Sequence, residues 1–191
     1  EVFTNTRLRH PTIIEIRTGV KKDGTILARD ARVLVDTGAY AGTGILAVYL
    51  TCSSFFKTYR VPNLRYEGYC SYTNKPPSGP QRAHGTIQAR FAEEAQLDMI
   101  ANELGVDPVE IRLRNARQKG DEYPNKSVIT SCGLSDCIKR AAEAAGWKEK
   151  MGKKSGVLSH GNVARGIGIA CTTGLTSLNI NPFTSSAAFV K

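Results

Sequence analysis

The stretch TIIEIRTGVKKDGTILARDARVLVDTGAY, residues Thr12 to Tyr40, decides how the rest of the chain reads. Ile14 and Ile16 alternate with Glu15 and Arg17, the period of a half-buried strand. Asp23-Gly24 is a hairpin turn signal. Ile26, Ala28, Val33 and Val35 resume the apolar pattern beyond it, interrupted by Arg29, Asp30 and Arg32. The reading is a long β-hairpin, Thr12–Lys21 with Thr25–Asp36.

Working outward, Gly38, Gly42 and Gly44 make a loop, and ILAVYLTCSSFFKTY reads as a buried helix. VPNLRYEGYCSYTN reads as a strand, bulged at Gly68. The segment TNKPPSGPQRAHG, Thr73–Gly85, then precedes a helical pattern that starts near Thr86. Ile87, Phe91, Ala95 and Met99 are spaced four apart, and Leu97, Ile100 and Leu104 widen the stripe. Gly105 closes that helix. Asp107 as cap, Pro108 at the first position and Glu110 at the third open a second helix running to about Ala116. GLSDCIKRAAEAAGW gives a third, capped near Ser131 and stopped by Gly146. The expected class is α+β: a long hairpin and short strands packed with three to four helices, with no regular βαβ repeat. One partial domain over residues 1–191 divides into a strand-rich part (1–73), a loop (74–86), a helical part (87–147), a basic loop (148–163) and a strand pair (164–191) made by RGIGIACTTG and SSAAFVK. The start without methionine and the stop inside a strand-like run lead to the expectation of a piece of a larger subunit.

The 191 residues suffice for a core, and 41% hydrophobic with 23% charged residues excludes a disordered chain. The net charge of +9 suits anionic partners such as phosphorylated cofactors or coenzyme A esters. No helix carries the basic stripe of a nucleic-acid reader, so no nucleic acid is expected. The five cysteines lack CxxC spacing, which argues against a zinc or iron–sulfur site in this chain and for reduced, buried thiols in the cytoplasm. No apolar run approaches a membrane span.

Three features carry chemistry. Asp36-Thr37-Gly38 is the signature of aspartic proteases, whose chemistry needs two such carboxylates sharing a proton. A homodimer would supply both, and a glycine turn at a strand end is the plainer alternative. GIGIA lacks the spacing and following helix of a dinucleotide site. His10 reads as a hydrogen-bonded structural residue and His160 as solvated. In the third feature, Pro76, Pro77 and Pro80 stiffen the loop and Gly79 and Gly85 permit close approach of a ligand. Arg82, Ala83, His84 and Gly85 lie just before a helix N-terminus, where free N–H groups and the helix dipole favour an anion. Local physics leaves a rigid turn and an anion site both open. A basic, non-enzymatic binding module is also open.

The span from Tyr59 to Asn115 resembles the molybdenum-cofactor-binding subunit of the xanthine dehydrogenase/aldehyde oxidase family. The matching residues are Val61-Pro62-Asn63, Thr73-Asn74, Arg82, Gly85, Leu104-Gly105, Asp107-Pro108, Glu110, Arg112 and Asn115, with Asp36-Thr37-Gly38-Ala39-Tyr40 upstream and RGIGIA downstream. The resemblance implies a molybdenum–molybdopterin cofactor, in its cytosine dinucleotide form, with 2Fe-2S and FAD carried by iron–sulfur and flavin subunits or domains. It implies an oxidoreductase that hydroxylates or reduces carbon centres of an aromatic, aldehyde or acyl-CoA substrate. Arg82 matches the arginine beside the molybdenum, Ala83 and Gly85 flank it at the cofactor, and His84 matches the aromatic residue that meets the substrate. Gln81 and His84 stand where the family has aromatics, Ala83 where it has glycine and not the cysteine of the copper-containing carbon monoxide dehydrogenases, and Leu50 near the arginine of xanthine oxidisers. The loop is closest in style to the 4-hydroxybenzoyl-coenzyme A reductase type. The family's Phe-Gly-Gly-Lys loop and catalytic glutamate are expected in the remainder of the subunit, so no catalytic residue is assigned in this chain.

Overall fold

A computed structural model describes residues 6–151, 158–160 and 163–173. Strand β1 (Thr12–Val20) pairs antiparallel with β2 (Ile26–Asp36). Lys21 and Thr25 close the turn, where Gly24 takes a φ of +84°. Helix α1 (Gly44–Lys57) then crosses over, and β3 (Asn63–Ser71) returns parallel to β2. One βαβ unit is therefore present, although no repeat of it announces itself in the sequence. The sheet order is β1-β2-β3. Helices α2 (Thr86–Leu104) and α3 (Pro108–Asn115) follow, then α4 (Leu134–Ala144) and a short α5 (Trp147–Met151).

The outer face of the sheet mixes an exposed apolar row, Ile13, Leu34 and Tyr69, with charged rows. Outward rows alternate in sign across the strands: Glu15, Arg32 and Glu67 in one, Arg17, Asp30 and Arg65 in the next. Such opposed neighbours stabilise a solvated face. Inward, Ala31, Val33 and Val35 pack with Ala47 and Phe55 of α1 and Ala89 of α2. A second core joins Ile26, Tyr59, Leu97, Ile111, Ile138 and Trp147. Buried Asn115 ties the end of α3 to the β1–β2 turn. Its Oδ1 accepts from the Ile26 N–H at 2.9 Å, and its Nδ2 donates to the Gly24 carbonyl at 2.9 Å.

Several expectations change. The bulge lies between Gly19 and Val20 against β2, not at Gly68. The shift turns Ala28 outward and Arg29 inward. Gly68 pairs regularly, and a Cβ there would come 2.3 Å from the Val48 side chain, so glycine lets α1 lie close to β3. Helix α1 is buried on one face only, with Ile45 and Tyr49 exposed. Helix α4 starts after Gly133 without a side-chain cap, not at Ser131, and Gly146 leads directly into α5. The basic segment contains a short antiparallel strand pair, Leu158–His160 (β4) with Val163–Arg165 (β5). Residues 166–173 form no strand, and the SSAAFVK part of the expected pair lies outside the described residues, as does the side chain of His160. Cys70 and Cys137 are exposed rather than buried.

The largest reversal is in α2. The apolar stripe Ile87, Phe91, Ala95 and Met99 faces outward, with Phe91 78% exposed. The buried face carries Arg90, Glu93 and Glu94 beside Ala89, Leu97 and Ala101. Glu93 sits between Arg29 and Arg90, one guanidinium on each carboxylate oxygen. Burial pushes its carboxyl upward while the two arginines oppose that shift. Glu94 accepts from Tyr59 Oη at 2.6 Å, Arg112 Nε at 2.8 Å and the Cys171 N–H at 3.0 Å. A hydrophobic periodicity cannot register charges that are neutralised by partners from other elements.

Removing one member of such a network leaves buried charge uncompensated. Glu93→Ala is expected to lower stability by about 3–5 kcal/mol in urea unfolding. A loss under about 1 kcal/mol, the scale of an exposed ion pair, would contradict the assignment.

Candidate functional site

The site is assembled where β2 ends. Asp36 closes that strand, and both its oxygens are taken. Oδ1 accepts from the Gly38 N–H at 2.9 Å and from Thr73 Oγ1 at 2.7 Å. Oδ2 accepts from Lys75 Nζ at 2.7 Å. These donors hold its carboxyl down at about 2, with the Lys75 and Thr73 bonds the leading causes. The backbone continues the attachment. The Thr73 N–H donates to Gly38 O, Ala39 N–H to Lys75 O and Ser78 N–H to Thr37 O, all between 2.9 and 3.0 Å. Gly38 has φ +72°, and a Cβ there would lie 2.3 Å from the Pro76 carbonyl oxygen. The Asp-Thr-Gly turn is therefore the anchor for the proline loop. A carboxylate so fully engaged by donors and a lysine is not available to share a proton across a dyad, and the aspartic protease reading is set aside.

The second half of the loop leans on the N-terminal segment. Gln81 Nε2 donates to Arg7 O at 3.1 Å, Arg9 Nη2 to Arg82 O at 3.0 Å, and the Gly79 N–H to Leu8 O at 2.9 Å. The chain then winds into α2 through two left-handed residues, Ala83 at φ +63° and Gly85 at φ +71°. A Cβ at Gly85 would sit 2.5 Å from the Ala47 carbonyl, so α1 and the loop touch there backbone to backbone. Thr51 Oγ1 locks the contact by donating to Gly85 O at 3.0 Å.

This geometry refines the expected anion site. The first helical N–H groups, Thr86 and Ile87, are already spent on Ala83 O at 3.1 and 3.3 Å. Among the described residues, the N–H groups of Gln81, Arg82, Ala83, His84 and Gly85 find no acceptor. The free donors therefore begin in the loop, ahead of the helix. Arg82 and Ala83 are exposed, Gly85 is buried and His84 is intermediate. The Arg82 guanidinium makes no hydrogen bond or ion pair among the described residues. The His84 Nε2 lies 3.4 Å from Thr43 Oγ1. Burial lowers the pKa of His84 from its usual value, and His10 and Arg9 push the same way. The structure brings all four sequence-assigned residues, Arg82 to Gly85, into one loop. Sequence reasoning missed Thr43, Thr51 and Lys75 as its supports. Only the Thr73-Asn74 pair next to Lys75 gave a signal. Among the described residues, no group of three or more His, Cys, Asp or Glu side chains is placed to hold a metal ion.

Comparison with known proteins places the chain. The molybdopterin cofactor-binding domain family matches residues 1–116. The chain is 37% identical over 172 residues to the xanthine dehydrogenase molybdenum-binding subunit of Escherichia coli O157:H7, covering 90% of this chain and 23% of that protein. It is 36% identical over 146 residues to the nicotinate dehydrogenase large molybdopterin subunit of Eubacterium barkeri, covering 76% of this chain and 34% of that one. The solved aldehyde oxidoreductase from Desulfovibrio gigas superposes with a TM-score of 0.69 at 33% identity, over 76% of this chain and 16% of its own. The chain belongs to the molybdopterin cofactor-binding domain family, within the xanthine dehydrogenase/aldehyde oxidase proteins. It spans about a quarter of the length of the Escherichia coli relative, 23%.

The Asp36 anchor has a pH signature. A carboxyl depressed from 3.8 to about 2 adds stability that is complete above its ordinary value and disappears as pH falls through about 2. Urea unfolding is expected to show wild type losing stability relative to Asp36→Asn between about pH 4 and pH 2, with the larger difference at the upper end. A constant difference across that window would contradict the anchor.

Proposed function

We propose that the chain forms part of a molybdenum hydroxylase-type oxidoreductase subunit and that the Arg82–Gly85 loop holds its cofactor. The observation that carries this reading is the run of five consecutive N–H groups without an acceptor among the described residues, next to the Arg82 guanidinium, which has no partner among them either. Molybdopterin fits that donor set. Its phosphate and the oxygens on the metal are acceptors, and the loop offers donors and one fixed positive charge. The lack of a metal-ligating cluster among the described residues suits a metal carried by the pterin rather than by side chains.

When bound, the cofactor supplies two-electron oxidation or reduction at a carbon centre. The chain's own contribution is orientation and charge. The Ala83 and Gly85 amides point donors at the cofactor, and Arg82 stabilises negative charge beside the molybdenum. His84 faces the substrate. Burial first, then His10 and Arg9, lower the pKa of its imidazole, which favours the neutral ring, flat with one donor and one acceptor. Ala83 has no thiol to hold a copper ion. The substrate class is an aromatic, aldehyde or acyl-CoA compound. The reading extends to the cytosine dinucleotide form of the cofactor. Its partners are the remainder of the molybdenum subunit and iron–sulfur and flavin subunits or domains carrying 2Fe-2S and FAD. Its compartment is the cytoplasm, which the five unpaired cysteines support.

Arg82→Ala tests the assignment in the complete enzyme. Loss of a charge-assisted contact is expected to weaken cofactor retention roughly ten- to hundredfold, read as molybdenum and pterin released on dilution, with the fold unchanged. Full retention in Arg82→Ala would overturn it.

A further inference from the structure

His10 lies 74 residues before His84 in the chain, yet their rings stack with centroids 5.5 Å apart and planes 22° apart. His10 is 2% exposed. Its Nδ1 is 3.1 Å from the Asp36 carbonyl oxygen. A carbonyl only accepts, so Nδ1 carries the proton. The backbone carbonyl of His10 accepts from Gln88 Nε2 at 3.2 Å, in the first turn of α2. One residue therefore touches the end of β2, the start of α2 and the side chain between them. Its Nε2 is buried and has no hydrogen-bond partner among the described residues. What the ring does is provide a surface.

We propose that His10 is a positioning residue whose ring sets the orientation of the His84 imidazole above the cofactor loop. The Nδ1–H bond to Asp36 O fixes the plane of His10, and Asp36 is itself fixed by Thr73, Gly38 and Lys75. Among the described residues, His84 has otherwise only the 3.4 Å contact with Thr43, which is too long to define a ring plane. The orientation of His84 is thus inherited from the strand end through His10. The meaning of this for substrate selection rests on the reading of His84 as the substrate-facing residue.

The full chain contains three histidines, so ring resonances can be followed individually by NMR. In His10→Ala, the ring-current shift of the His84 ring protons is expected to be lost while His160 is unmoved. His10→Phe, which restores a ring without the Nδ1 donor, is expected to return only part of that shift. Amide exchange at Ala83, His84 and Gly85 is expected to rise roughly two- to tenfold in His10→Ala, the loss of one aromatic pair. His84 resonances in His10→Ala identical to wild type, in a chain that keeps its remaining spectrum, would overturn the proposal. If His10→Ala does not fold, His10→Asn keeps a donor for Asp36 O without a ring and is read in the same way. No readout here involves molybdenum, so a failure of the cofactor reading in Arg82→Ala and a failure of His10 as a positioning residue are separate results.

Discussion

The carboxylate of Asp36 is the joint on which the candidate site turns. It ends the central strand, accepts three hydrogen bonds and brings Thr73 and Lys75 onto that strand end. Everything in the loop downstream is positioned from there. Three prolines limit how the chain can leave the joint, and the N-terminal segment supports it through Arg7, Leu8 and Arg9. The loop must then enter α2 while its backbone presses on α1 at Gly85. The two left-handed residues follow from that double constraint. A loop held at both ends can keep a run of N–H groups unpaired, because collapsing onto its own carbonyls would require moving the strand or the helix.

The second constraint is the buried charge on α2. Glu93 and Glu94 bring Arg29, Arg90 and Arg112 into the interior. Arg90 pairs with Glu93 within α2, while the other partners join α2 to different elements: Arg29 comes from β2, Arg112 from α3, and Tyr59 from the segment after α1. Burying ions is costly unless they are paired, so these contacts favour one arrangement of the elements over compact alternatives. That fixed arrangement holds the first turn of α2 and therefore the loop that feeds it.

How much of this was legible in the sequence varies by element, for physical reasons. The hairpin was readable because alternation and an Asp-Gly turn are local. The second helix start was readable because Asp107, Pro108 and Glu110 are local too, and Asp107 Oδ1 does accept from the Val109 and Glu110 N–H groups. Helix α2 was readable as a helix but not in its facing. Its apolar stripe points outward, and its core side is built from ion pairs whose partners lie far away in sequence. The bulge was misplaced because the interruption of the pattern near Arg29 looked like polar noise rather than a register shift. In the candidate site, composition and resemblance single out Arg82 to Gly85, but no local pattern shows which N–H groups are left without an acceptor. The Thr86 and Ile87 N–H groups both turn to Ala83 O, and the loop amides from Gln81 to Gly85 have no acceptor among the described residues. Asp36 drew attention for a protease signature, while its structural work depended on Thr73 and Lys75 across a gap that no local pattern spans. The His10–His84 contact was invisible for the same reason.

The most direct measurement is a crystal structure of the complete subunit with its cofactor bound. The account predicts cofactor oxygens within about 3 Å of the backbone nitrogens of the Arg82–Gly85 loop, with the Arg82 side chain beside the molybdenum. A cofactor bound elsewhere, with those five N–H groups facing only solvent, would contradict it.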